Sequence, residues 1–322
     1  MRKALRRWEE EGEKGLEDRS RRPKNSPRRT PLSLEGAILA ERKRTGYGRD
    51  RIARLLQARG LEVKPSTVRC VLRRYKVQAK YKRSKYRRRQ RFYDFESLYP
   101  FEHFQVDLKE IYDQTTLPQR TLRWAKKINI PPYQWTAIDV KTRVRFLSYS
   151  WEKTFANGLL FMLTIIYFLR SFGLKHKIIL QTDNGEEFGG KSVAKLEYLN
   201  RRVFAPLGAA LVHIPKGKKE YQAFVERSHQ TDDNEFYLPE IERCLDQKEF
   251  FFRALRWQFM YNTKRVHSGL GMTPYKKLQT EIKLPPEVAL FPVVQLEKLT
   301  DLYSILFPQP GYHVSANDRP FF

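Results

Sequence analysis

The fold class this sequence predicts is an α/β body, a mixed five-stranded sheet with flanking helices, preceded by an all-α helix-turn-helix domain. Three observations lead there. Residues 1–92 hold 31 Lys/Arg against 10 Asp/Glu, most of a formal net charge of +26, so a basic front end joins a nearly balanced body. The front end shows helical spacing, whereas from Phe101 onward alternating β-type runs are interleaved with helical ones. At 322 residues and 41% hydrophobic, the chain can bury a core and still carry appendages.

Residues 1–30 are charged, with prolines at 23 and 27, and read as a basic arm: the tail of a helix followed by an extended stretch. Residues 31–76 form the helix-turn-helix. Leu32 to Arg44 is one helix, and a second begins at Gly48 with Ile52, Leu55 and Leu56 on one face. Gly60 to Pro65 is the turn. A third helix starts at Pro65 with Ser66 as its N-cap, Val68, Val71 and Leu72 inward, and Arg69, Arg73 and Arg74 outward for a major groove. An ordinary three-helix bundle with solvated arginines is the bland alternative; the charge asymmetry favours DNA binding. Residues 77–92 lack an apolar period and form a basic linker, in which Lys82, Arg83, Arg87 and Arg88 can track phosphates.

The body, residues 93–283, opens with a strand around Phe104–Tyr112, then a hairpin of Tyr133–Val140 and Arg143–Ser150 turning at Lys141–Thr142. A long helix follows over 153–172, a buried-type strand over 177–182, a helical stretch to about Pro206, a short strand over 209–214, and a helix carrying Phe224 to His229. Phe251, Leu255 and Phe259 mark a core helix at 250–260. This order matches a ribonuclease H-like sheet. Residues 284–322, with six prolines, read as a loose C-terminal extension.

Asp107 sits mid-strand, where an unpaired carboxylate is costly; Asp183 stands where a strand ends; Glu226 rides a helix after a basic loop. Carboxylates converging from two strands and a helix make a set of hard oxygen ligands suited to Mg2+ or Mn2+, and two such ions serve phosphoryl transfer. Any one acid alone is more simply a solvated or salt-bridged side chain. Asp139 is the nearest rival, with Glu186, Glu187 and Glu220 behind it.

The runs Phe104-Gln-Val-Asp107-Leu, Gln181-Thr-Asp183-Asn-Gly-Glu-Glu-Phe188, Val225-Glu226-Arg-Ser-His-Gln-Thr-Asp and Tyr261-Asn-Thr-Lys-Arg-Val-His267 to Pro274 occur in that order. Together they resemble the integrase core of bacterial insertion-sequence transposases related to retroviral integrases. The resemblance implies a DDE-type enzyme in which Asp107, Asp183 and Glu226 hold divalent metal, water cleaves a transposon-end strand, and the freed 3′-hydroxyl attacks target DNA. It also implies that Asp139 is not a ligand. Residues 222–223, Gln-Ala, stand where that family has Asn-Gly, so the loop is expected to bend differently. The stretch 113–133 is a basic insertion of unassigned role. Family members often carry two tandem helix-turn-helix units, and residues 1–30 read as the remnant of a first.

The expected partners are double-stranded DNA, both transposon ends and target, and a second copy of the chain in the active complex. Arg227 is a further phosphate-contact candidate beside Glu226, against the plainer reading of a surface arginine. His229 and His267 are expected to pack, and Asn184 and Gly185 to shape a turn. No 20-residue apolar run suggests a membrane span, no secretory signal opens the chain, and Cys70 and Cys244 lack disulfide or zinc spacing. The expected setting is therefore a reducing, prokaryotic cytoplasm, on the nucleoid when bound. Two rival functions remain: a transposase-derived DNA-binding protein without catalysis, and a ribonuclease H-like nuclease acting on hybrids or junctions.

Overall fold

The computed structural model describes residues 2–17, 29–77, 94 and 97–299. The chain divides into two compact units, residues 1–82 and 83–322.

In the first unit, α1 (Arg2–Glu11) precedes a three-helix cluster of α2 (Leu32–Thr45), α3 (Arg49–Gln57) and α4 (Pro65–Arg74). Ile38, Ile52, Ala53, Leu56, Val63, Val68 and Val71 form its core. Two buried acids of α2 tie the cluster together. Glu35 receives the Arg74 guanidinium and the Tyr75 hydroxyl, and Glu41 receives Arg44 and Arg59. Two details differ from expectation. Ser66 is not the N-cap of α4: Pro65 takes the first helical position, where no N–H is needed, so Lys64 is the cap. Arg74 does not stand free, since it neutralises the buried Glu35; Arg69 and Arg73 are exposed. Lys82, Arg83, Arg87 and Arg88 lie outside the described residues, as do 18–28 and 300–322.

The second unit is built on the strands β1 (His103–Glu110), β2 (Tyr133–Asp139), β3 (Arg145–Ser150), β4 (Ile178–Thr182) and β5 (Ala209–His213), in the order β3-β2-β1-β4-β5. β1, β2 and β3 are antiparallel, and β4 and β5 run parallel to β1 and β4 respectively. This is the mixed, ribonuclease H-like sheet the element order predicts. The alternation of β1 sends Phe104 and Val106 into one core, with α6 (Phe155–Ser171) and α7 (Val193–Leu199), and leaves Gln105 and Asp107 on the opposite face.

That opposite face is covered by α5 (Gln119–Lys127) and by one nearly continuous helical rod, residues 223–243. The rod comprises α8 (Ala223–Asp232), a π turn at Asp233–Tyr237, the short α9 (Leu238–Glu240) and a closing 3-10 turn. Beyond it lies α10 (Gln247–Thr263). The insertion at 113–133 is thus folded, not a loop: Leu122 and Ala125 of α5 join the core formed by Phe236, Ile241 and Phe250.

The inward stripe of α10 is Phe250, Ala254, Trp257, Gln258, Tyr261 and Asn262, one position off the expected Phe251, Leu255 and Phe259, which are only half-buried. The shift has a cause in the edge strand. Gln258 accepts from the Leu147 amide at 2.6 Å, and Asn262 exchanges two 3.0 Å bonds with Arg145, so polar residues face inward to close the free side of β3.

Residues 284–299, expected as loose, pack on the core after α11 (Pro274–Glu281). Phe291 stacks on Phe146 at 4.8 Å, and the Tyr149 amide donates to the Val294 carbonyl. Pro285 is extended and Pro286 opens a 3-10 turn, where its fixed φ is tolerated.

Candidate active site

β1 and β4 pair in parallel with Gln105 opposite Gln181. Asp107 lies two residues beyond Gln105 within β1, and Asp183 two residues beyond Gln181, just past the end of β4 at Thr182. Glu226 lies in the first turn of α8. Three glutamines hold that turn against the strands. The Gln105 and Gln181 side chains both donate to the Tyr221 carbonyl, at 2.6 and 3.0 Å, and Gln222 donates to the Val106 carbonyl at 3.0 Å. The Gln105 Oε1 in turn accepts from the Phe224 and Val225 amides, satisfying donors that the start of a helix leaves open. The loop ahead of α8 ends in a 3-10 turn over Lys219–Gln222, with Gln222 buried.

Asp183 stands at the head of a tight turn, its Oδ1 accepting from the Gly185 amide at 2.9 Å, while Asn184 reaches the Ile214 carbonyl beyond β5. The loop behind it presses on α6 at Gly158, where a Cβ would fall 2.1 Å from the Glu187 carbonyl oxygen. Glu187 is buried and paired with Lys153 at 3.0 Å.

Asp183 and Glu226 act on Asp107 through their charge. The Asp107 carboxyl is pushed up to about 7, first by burial and then by the charges of Asp183, Glu226 and Glu187. His229 lies 3.7 Å from Asp107. Burial drives its imidazole down to about 3, so the ring is neutral and offers no countercharge. An under-neutralised set of carboxylates suits a divalent cation in charge and hardness. The geometry is open: among the described residues no three His, Cys, Asp or Glu side chains converge closely enough to hold a metal.

Asp139 is elsewhere and otherwise engaged. Fully buried, it accepts from the Phe101 amide and from the Thr142 amide and hydroxyl at 2.6–3.1 Å, closing the β2–β3 hairpin. Arg227 is exposed and donates to Gln230. His267 closes the tight turn before α11, its amide donating to the Met272 carbonyl.

The positioning glutamines were not among the residues singled out from sequence. Their signal was present: a polar residue two places before each strand acid, on the same face. Also missed was a buried network behind the site. Asp232 receives Arg145 at 2.6 Å, Trp257 at 2.7 Å and Gln134 at 2.8 Å, with Arg145 lying 3.7 Å over the Tyr261 ring.

Residues 1–72 match the homeodomain-like domain family and residues 207–274 the integrase core domain family. No curated protein matches the chain. Among solved structures, the chain is similar to the catalytic core domain of BIV integrase, at 20% identity and a TM-score of 0.37, covering 56% of this chain and 96% of that one. It is also similar to the HTLV-2 integrase catalytic core domain in complex with magnesium, trimeric form, at 17% identity and a TM-score of 0.35, covering 56% and 97%. Two segments, together under half of the chain, carry the likeness: a homeodomain-like front end and part of an integrase core. Among the described residues no helix is long and apolar enough to cross a membrane.

Proposed function

We propose that the chain is a transposase that binds transposon-end DNA and carries out strand cleavage and strand transfer, with Asp107, Asp183 and Glu226 as its catalytic acids. The observation that carries the reading is the tie of the Glu226 helix start to both strands, the Gln105 and Gln181 side chains donating to the Tyr221 carbonyl, together with the charges of Asp183 and Glu226 acting on Asp107. Mg2+ or Mn2+, as two ions held by these three residues, would supply activation of the attacking oxygen and stabilisation of the leaving one. The chain's own part is to hold three carboxylates on a rigid floor of strand and helix and to keep a neutral His229 beside Asp107. The front end, with Arg69 and Arg73 exposed on α4, would read the transposon end, and Arg74 would act through the fold it secures. Lys82, Arg83, Arg87, Arg88 and Arg227 would add phosphate contacts. Two copies acting together would pair two ends.

The test is cleavage and joining of labelled duplex carrying the element's own ends, with Mg2+ or Mn2+, comparing the native chain with Glu226→Gln. Metal-dependent joined products from the native chain alone support the proposal. A second reading, DNA binding without catalysis, is favoured by the open arrangement of the acids; end binding without products in either metal would select it.

A further inference from the structure

The insertion between β1 and β2 has a built surface that the catalytic reading does not use. Helix α5 carries Arg120, Arg123, Lys126 and Lys127 in nine residues and no acid. Arg120, Arg123 and Lys127 follow one another at spacings of three and four, so they form a stripe along one face, with Lys126 beside it. Like charges at that spacing destabilise a helix. The field at the helix C-terminus favours Lys126 and Lys127 but does nothing for Arg120 or Arg123.

Local acids do not account for the stripe. Arg120 pairs with Glu242 at 3.0 Å, and Glu242 also accepts from Thr121. Among the described residues no carboxylate pairs with Arg123, Lys126 or Lys127. Together with Trp124 and Glu242, the stripe lines an open groove of about 400 Å³. Lys127 lies 4.7 Å over the Trp124 ring, whose N–H is already spent on the Cys244 carbonyl.

The surface is also rigidly placed. Leu122 and Ala125 are buried, and Trp124 and Thr121 fasten α5 to the far end of the rod that begins near Glu226. At about 1.5 Å per residue, the rod sets the groove roughly 25 Å from the candidate acids. That is less than one turn of duplex, about 34–36 Å.

We propose that this face of α5 is a second DNA-contact surface, where Arg123, Lys126 and Lys127 hold backbone phosphates of a duplex whose reacting strand lies at the acids. The inference rests on DNA being the substrate. It assigns the insertion a role in gripping DNA without reading its sequence, since flexible cations on an exposed helix face contact phosphates and not base edges.

The experiment measures the salt dependence of duplex binding by the full chain, without divalent metal, for native protein, the neutral variant R123Q/K126Q/K127Q and an equal-charge control, K175Q/R201Q/R202Q. The expected result is a log–log salt slope shallower by about 2–3 for the neutral variant, since each phosphate contact contributes about 0.9, with the control changing by less than about 1. A charge-keeping variant, R123K/K126R/K127R, should retain the native slope. If the neutral variant and the control shift equally, the proposal is overturned, and an acidic protein becomes the better-fitting partner. Loss of binding in the charge-keeping variant would also overturn it, because packing and not charge would then be responsible. A native chain that binds no duplex at all would overturn the DNA reading itself, a result separable from the other two.

Discussion

Gln105 donates its side-chain amide to the Tyr221 carbonyl at 2.6 Å, and this single bond joins the strand of Asp107 to the turn that launches the helix of Glu226. The same side chain accepts two helix-start amides, so Gln105 bonds both the carbonyl before α8 and the N–H groups that begin it. Gln105→Leu would leave those buried donors unsatisfied, at about 2–3 kcal/mol in a denaturant titration. Strand joining should fall at least tenfold while end binding persists. Gln105→Glu keeps the acceptor and should lie between; a leucine variant with full activity would show that α8 is positioned by other contacts.

The raised Asp107 carboxyl makes stability depend on pH in a definite direction. With a folded value near 7 against an ordinary 3.8, the folded state binds the proton more tightly. The stabilisation is present below about pH 4 and is lost as pH rises through 7. Asp107→Asn removes that loss. In metal-free buffer at pH 8 it should melt higher than native, by up to about 4 kcal/mol at roughly 1.4 kcal/mol per unit, with the difference gone below pH 4. Mg2+ should raise the melting temperature of the native chain and not of the variant.

Gly158 sets how closely α6 approaches the loop after Asp183. An alanine there would place its Cβ against backbone, the Glu187 carbonyl, which cannot rotate away. Gly158→Ala is expected to cost about 1–3 kcal/mol and to weaken Mg2+-induced stabilisation. Thermal melts with and without metal measure both, and an unchanged metal response would separate this contact from the site.

Arg145 and Asp232 are both fully buried and 2.6 Å apart. Asp232→Leu alone strands the Arg145 cation in the core and should cost about 3–5 kcal/mol, whereas Arg145→Met/Asp232→Leu should recover at least half of that. A double-mutant cycle by chemical denaturation provides the number, and additive costs would mean the pair is not coupled.

Phe291 tests whether residues 284–299 belong to the core. Its ring stacks on Phe146 and meets Phe161 and Phe168 edge-on. Phe291→Ala should cost about 3–5 kcal/mol; a loss below 1 kcal/mol would return this segment to the status of an appendage.

Much of this was legible in the sequence. Alternation along residues 104–108 puts Asp107 on the face opposite Phe104 and Val106, and the change of pattern at Phe101 marks where the sheet begins, with β1 at His103–Glu110. The misreadings share a cause. Ser66 was chosen as a cap by residue type, but Pro65 had already taken the first helical position. Phe251, Leu255 and Phe259 have the hydrophobicity of a core stripe and are half-buried, Phe251 and Leu255 against the core, while Gln258 and Asn262 take the innermost places because β3 is an edge strand whose backbone needs partners.

The local chain determined where strands and helices form, because period and turn chemistry act between near neighbours, and it determined which acids could matter by placing them on strands and at a helix start. Only the tertiary structure decided what each of them meets. Gln105 of β1 ties down the turn that starts α8, Gln181 of β4 joins it there, and Asp139 is spent on the Phe101 amide and its own hairpin. Each of these is a contact between segments tens of residues apart, set by satisfying buried hydrogen-bonding groups, and no local pattern encodes which partner will satisfy them.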